Sequence, residues 1–104
     1  MTEDNTFDHL KYRVNVSNDG VKTYRNSEGF LHREDGPAYI NPNGYKAWWL
    51  NGQRHREDGP AVIMKNGYRA WLLNGDYHRE DGPARMWPDG SWQTFRYGVC
   101  IGQS

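Results

Sequence analysis

The sequence predicts an all-β protein, an elongated single-layer antiparallel meander of repeated β-hairpins. Three observations predict it: an internal repeat, glycines that regularly follow Asn or Asp, and short β-prone runs without a helical stripe. The chain has 104 residues, of which 14% are aromatic and 12 are glycine. That composition is too aromatic for a disordered chain and too rich in glycine for a helical bundle.

The repeat is a string of seven residues, His-Arg-Glu-Asp-Gly-Pro-Ala, which recurs at a step of 23 residues at 32–38, 55–61 and 78–84. Three copies predict about three full units with degenerate ends, because a terminal unit has a neighbour on one side only. We therefore expect a single repeat domain at 12–104 after a flexible lead-in at 1–11. The units lie near 18–38, 39–61 and 62–84, with a partial unit at 85–104.

Turns are predicted where Asn-Gly and Asp-Gly pairs occur, since these pairs supply the positive φ of tight hairpins. Nine of the twelve glycines follow Asn or Asp: Gly20, Gly36, Gly44, Gly52, Gly59, Gly67, Gly75, Gly82 and Gly90. Units that stack by translation need an even number of antiparallel strands, so we assign two to each unit. In the third unit these are 61–65 and 68–73, joined at Asn66-Gly67, and 74–83 is a longer connection.

Charge and cysteine content narrow the function classes. Thirteen basic and thirteen acidic residues give a net charge of zero, which argues against a general polyanion binder. The single cysteine, Cys100, excludes an internal disulfide and a multi-cysteine metal site, and we expect it to be a buried apolar filler. No apolar run is long enough to span a bilayer, and 1–5 lacks the features of a secretory signal. We expect a cytoplasmic protein without a membrane span.

The histidines of the repeated string invite a zinc hypothesis, which the expected geometry opposes. Equivalent residues of stacked units lie about 10 Å apart, whereas zinc ligands lie about 2 Å from the metal. Catalysis also uses one site, not three identical copies. We predict no metal, no cofactor and no catalytic residue. Asp58-Gly59-Pro60 is expected to form a turn, Arg56 and Glu57 to pair, and His55 to hydrogen-bond a loop carbonyl.

Two aligned strand columns predict a binding surface. One column contains Trp48 and Trp71, and the adjacent column contains Trp49, Leu72 and Phe95 on the opposite face of the sheet. An open apolar face indicates an interface. We predict that the binding residues form an aromatic ladder of Tyr24, Trp48, Trp71, Trp87 and Trp92. The alternative is a binding edge made by the repeated string, with His32, Arg33, His55, Arg56, Glu57, His78 and Arg79.

The segments 51–55 and 74–78, Asn-Gly-x-x-His, resemble the membrane occupation and recognition nexus (MORN) repeat in a degenerate form. The resemblance covers roughly 18–98 and departs at Arg33, Arg56 and Arg79, where the family has glycine. It implies an open sheet of β-hairpins that binds proteins. The His-Arg-x-Asp-Gly-Pro-Ala string is also similar to strings in small bacteriophage and bacterial proteins.

These observations favour a non-enzymatic protein-binding module: a small phage protein that docks on a host protein, such as a defence component, and inhibits or redirects it in the host cytoplasm. The alternative is a homo-oligomeric structural protein, a homodimer through the edge strands near 14–16 and 99–101. Nucleic-acid binding is disfavoured, because the arginine of each repeated string is followed by Glu and Asp, so that the string is net negative; the basic residues near aromatic ones are Lys46, Arg54, Arg56, Arg69 and Arg79. A hydrolase function is also disfavoured, because the sequence contains neither a nucleophile motif nor a phosphate-binding loop.

Overall fold

The computed structural model describes residues 7–8 and 12–104, and the elements in these ranges are all β-strands. The strands are β1 (Phe7–Asp8), β2 (Tyr12–Val16), β3 (Lys22–Arg25), β4 (Tyr39–Ile40), β5 (Lys46–Ala47), β6 (Trp49–Leu50), β7 (Gln53–Arg54), β8 (Val62–Ile63), β9 (Arg69–Ala70), β10 (Leu72–Leu73), β11 (Asp76–Tyr77), β12 (Arg85–Met86), β13 (Trp92–Arg96) and β14 (Val99–Gln103). No helix in the described ranges is long and apolar enough to span a membrane.

Ten of the strands form one antiparallel main sheet in the order β1-β2-β3-β4-β5-β8-β9-β12-β13-β14. Each neighbour in this order is also the next main-sheet strand along the chain, so the all-β antiparallel meander is confirmed. Ten strands at the usual spacing extend over roughly 43 Å, and the molecule measures 52 × 25 × 16 Å. The elongated shape follows from this stacking in one direction.

The other four strands form a second row of small hairpins, β6–β7 and β10–β11. Backbone hydrogen bonds join the row: Gly75 N donates to Arg54 O at 2.9 Å, and Arg56 N donates to Leu72 O at 3.1 Å. The segment 74–83 is therefore not a plain connection, because it contains β11. The predicted strand 68–73 is divided at Trp71, where the backbone leaves the main sheet and enters the small hairpin. Each complete unit has four short strands, which keeps the even number.

Glycine has two different roles in the turns. Gly44, Gly67 and Gly90 close the main-sheet hairpins with φ between 89° and 100°, as the Asn-Gly and Asp-Gly pairs predict. The three Asp-Gly pairs of the repeated string do not follow this rule, since Gly36, Gly59 and Gly82 are absent from the positive-φ residues. There the positive-φ prediction is wrong, because these pairs lie in the longer loops 32–38, 55–61 and 78–84 and not in tight hairpin turns.

The core lies between the main sheet and the row of small hairpins. Its larger cluster contains Val62, Tyr68, Ala70 and Leu72, and a smaller cluster contains Tyr12, Tyr24 and Ala38. Trp49 packs against both clusters, while Phe95 is also buried, so the column predicted as Trp49, Leu72 and Phe95 belongs to the core.

Predictions were made for both ends of the chain, at Cys100 and at the lead-in 1–11. Cys100 is exposed on β14, the last strand of the main sheet, so its prediction as a buried filler is wrong: an edge strand has no further layer to cover it. The predicted flexible lead-in at 1–11 lies outside the described residues, except for Phe7–Asp8, whose backbone pairs with β2.

Candidate binding surfaces

The three copies of the repeated string form loops, here called the motif loops, built around an arginine. In the second loop (55–61), the Arg56 guanidinium carbon lies 4.0 Å from the centroid of the Trp48 ring. Arg56 Nε donates to Asp58 Oδ1 at 3.0 Å, and Nη1 donates to the Pro60 carbonyl at 3.1 Å. A cation on an aromatic face with two directed hydrogen bonds is held in one position.

The other two motif loops repeat this geometry. Arg33 stacks on Tyr24 and Arg79 stacks on Trp71, both at 3.9 Å. The glycines explain why the loops can close. A Cβ at Gly59 would lie 2.9 Å from the guanidinium carbon of Arg56, and the equivalent distances at Gly36 and Gly82 are 3.0 and 3.2 Å. Glycine is therefore used here for space and not for its freedom of φ.

The motif histidines connect successive units. His32, His55 and His78 each accept, at Nδ1, the backbone N–H of a residue 19 positions later, at 2.9 to 3.0 Å. The donors, Asn51, Asn74 and Tyr97, all have positive φ. The predicted hydrogen bond to a loop carbonyl is wrong, because the ring accepts from an N–H instead.

The opposite nitrogen of each ring faces the loop glutamate. His78 Nε2 lies 2.7 Å from Glu80 Oε2, and the corresponding distances in the first and second loops are 3.5 and 3.4 Å. A neutral ring that accepts at Nδ1 carries its proton on Nε2, so these hydrogen bonds assign one tautomer. The histidines therefore serve the structure of the array.

Open grooves lie between successive motif loops. The first, of about 710 Å³, has Trp48 and Leu50 on its floor, and the second, of about 650 Å³, has Trp71 and Leu73. Carboxylates from the loops line both grooves and are between 61% and 88% exposed: Glu34, Asp35, Glu57, Asp58, Glu80 and Asp81. We call this surface, loops and grooves together, the motif face.

The predicted aromatic ladder is distributed over several places. Tyr24 is buried beneath Arg33, whereas Trp48 and Trp71 are half-buried on the motif face. Trp87 and Trp92 flank the turn at Gly90 between β12 and β13, and neither lines a groove of the motif face. The ladder and the binding edge are thus not separate alternatives for Trp48 and Trp71, because the arginines of the edge lie on the rings of the ladder.

A second surface was not singled out from the sequence. We call it the aromatic groove. It comprises two adjoining cavities of about 390 and 650 Å³, which share Tyr45, Met64 and Asn66. The other side chains on which it is built are Tyr39, Tyr68, Tyr77, Trp87, Arg54 and Arg85. It shares no lining residue with the grooves of the motif face.

Arg85 organises the aromatic groove. Its guanidinium carbon lies 4.7 Å from the ring centroids of both Tyr77 and Trp87, and Nε donates to the Tyr68 hydroxyl at 2.9 Å. Burial raises the pKa of the Tyr68 hydroxyl above its ordinary value, and the hydrogen bond and positive charge of Arg85 oppose that shift. Residues at the repeat step of 23 form two columns on one face of the predicted sheet: Tyr39, Val62 and Arg85, and Asn41, Met64 and Trp87. These two columns were the sequence signal for the aromatic groove.

The part of the chain that the structure describes contains no cluster of three or more His, Cys, Asp or Glu side chains that could hold a metal ion. No protein-family model, curated protein or solved structure matches this chain. The resemblance to MORN repeats therefore stays a prediction.

Proposed function

We propose that this chain is a non-enzymatic protein-binding repeat module that holds an extended segment of a partner protein along the motif face. One observation carries the proposal: the two grooves have corresponding linings one repeat apart, with Trp48 and Leu50 in the first and Trp71 and Leu73 in the second. Equivalent sites at a fixed spacing suit a ligand that is itself extended along the array.

The spacing and the charges describe the partner segment. Two strand spacings separate equivalent positions, which is about 10 Å, or one turn of three residues of an extended polyproline II segment, in which every third side chain points to the same side. The floors are apolar and the rims have exposed carboxylates, while the motif arginines are already engaged by rings, aspartates and prolyl carbonyls. A segment with apolar anchors every third residue and basic residues between them therefore fits the motif face.

The similarity of the repeated string to strings in small bacteriophage proteins supports a bacterial host protein as the partner. The experiment begins with a pull-down from bacterial lysate, followed by titration of the captured protein with purified variants. Leu50→Gln and Leu73→Gln each change one groove floor and leave the rings under the arginines in place. We expect each to weaken binding about tenfold, which corresponds to about 1.4 kcal/mol, and the double variant to weaken it further.

Met86→Gln is the matched control, because Met86 is an exposed apolar residue outside both grooves. It should bind like the parent protein. Parent-like affinity of the Leu50 and Leu73 double variant, together with a loss of binding in Met86→Gln, would contradict the motif face as the binding surface.

A further inference from the structure

The aromatic groove has an uneven charge. Arg54 and Arg85 line one of its cavities and Lys65 lines the other, while neither lining contains an aspartate or a glutamate. The motif face contrasts with it, since each motif arginine there has an aspartate within 3.1 Å. Among the described residues, the positive charges that line the groove therefore have no acidic lining residue beside them.

Arg54 shows this most clearly. In the described part of the chain its guanidinium makes no hydrogen bond or ion pair, and its recorded contact is with the Trp49 ring at 6.0 Å. Arg85 uses Nε and Nη1 for neutral partners, the Tyr68 hydroxyl at 2.9 Å and Gln93 Oε1 at 3.4 Å. Both side chains are half-buried. A half-buried cation without a counter-charge is unfavourable, and an anion in the groove would remove that penalty.

The surroundings select the kind of anion. Met64 and the rings of Tyr45, Tyr68 and Trp87 give the groove apolar and aromatic walls. The chain as a whole has zero net charge, and its motif loops expose six carboxylates. A long polyanion such as nucleic acid gains little attraction from such a molecule. A short segment with carboxylates next to aromatic or apolar residues matches both the cations and the walls.

We propose that the aromatic groove binds an acidic segment of a protein partner, whose carboxylates pair with Arg54 and Arg85 and whose neighbouring aromatic or apolar residues pack on Tyr45, Met64 and Trp87. This site lies apart from the motif face and goes beyond the function proposed for it. The module would then hold two segments of opposite charge on two surfaces.

The test uses a fluorescently labelled random copolymer of Glu and Tyr as the probe, and measures fluorescence anisotropy with the full chain. Arg54→Met and Arg85→Met should each weaken binding about tenfold. Arg69→Met is the matched control: Arg69 is exposed, and it precedes the groove residue Ala70 on β9, so it points to the other face of the sheet. Its effect should be less than twofold.

Several outcomes would overturn the proposal. The proposal is wrong if the parent protein does not bind the labelled copolymer saturably. Equal losses in all three variants would indicate unspecific charge attraction. Tighter, Arg54-dependent binding of a labelled oligothymidine would make the groove a nucleic-acid site. If Arg85→Met does not fold, Arg54→Met decides, because its guanidinium holds no internal hydrogen bond. The Leu50 and Leu73 double variant should bind the copolymer normally, so failure here and failure of the motif face are distinguishable.

Discussion

Arg54 and Arg56 are two residues apart and lie in opposite situations. Arg56, on the motif face, has a ring, a carboxylate and a carbonyl around its guanidinium. Arg54, in the aromatic groove, has no hydrogen-bond or ionic partner in the described part of the chain. Each motif arginine is paired with an aspartate of its own loop, whereas Arg54 in the groove has no such partner among the described residues. The repeated arginine therefore stabilises the fold, and the unrepeated one is available to a ligand.

The same contrast appears in the sequence variation between units. The loop positions of Arg33, Arg56 and Arg79 are identical, because each loop needs the same stack to close. The groove positions change from Tyr39 to Val62 to Arg85. The motif loops therefore repeat one architecture without change, whereas the aromatic groove is built from side chains that differ from unit to unit.

The largest effect should come from the glycine beneath a stacked arginine. Gly59→Val would place a side chain where the Arg56 guanidinium lies, since even a Cβ comes within 2.9 Å of it. Displacing Arg56 loses the ring contact and two hydrogen bonds, and we expect unfolding in urea to show a loss of about 3 kcal/mol.

Glu57→Ala is the matched control for Gly59→Val. The Glu57 side chain is 83% exposed, so its removal should change stability by about 0.5 kcal/mol or less. Equal urea midpoints for the two variants would contradict the role of Gly59 as space for the arginine.

A smaller loss should follow from removal of a motif histidine. The His78 side chain is only 3% exposed, and its Nδ1 accepts the Tyr97 N–H. His78→Ala leaves this N–H without its acceptor and should reduce the free energy of unfolding by about 2 kcal/mol. His78→Asn places an amide oxygen near the position of Nδ1 and should recover about half of that loss. Elemental analysis should find no stoichiometric zinc in the parent protein. Bound zinc, or an Asn variant no better than Ala, would refute the hydrogen-bonding role.

The smallest effects compare the two arginines directly. Arg56→Met should reduce stability by about 1.5 kcal/mol, because it removes charged hydrogen bonds to Asp58 and Pro60. Arg54→Met should change it by about 0.5 kcal/mol or less, since its guanidinium has no such bonds. Thermal and urea unfolding of both variants measure the difference. Greater destabilisation of Arg54→Met than of Arg56→Met would contradict the assignment of Arg56 as the arginine that stabilises the fold.

Much of the fold could be predicted from the repeat and its turns. The step of 23 residues, the Asn66-Gly67 turn and the opposite orientation of Trp71 and Leu72 follow from local rules of pairing and alternation. The division of the strand at Trp71 does not. It depends on hydrogen bonds to Ala84 O and from His78 N, both of which arise only when the next segments fold back.

The sites were harder to predict than the strands. The string Arg-Glu-Asp-Gly-Pro reads as a solvated turn, because local sequence does not reveal that Arg56 lies on Trp48, eight residues earlier. The aromatic groove combines residues from Tyr39 to Trp87, and Tyr45 and Tyr77 approach it from different layers. Such a surface depends on packing between the main sheet and the small hairpins, which period-two alternation does not describe.

The direction of the histidine bonds gives the array a polarity. Each histidine receives an N–H from a later turn: Asn51 and Asn74 lie in the small hairpins and Tyr97 lies between β13 and β14, with φ of 49°, 51° and 48°. A left-handed backbone is unfavourable by about 1 kcal/mol for residues with a Cβ. The conformation of each turn is thus supported by the loop before it, and loss of one loop releases the next turn. Such coupling is reciprocal, so we expect neighbouring units to unfold together and not as independent modules.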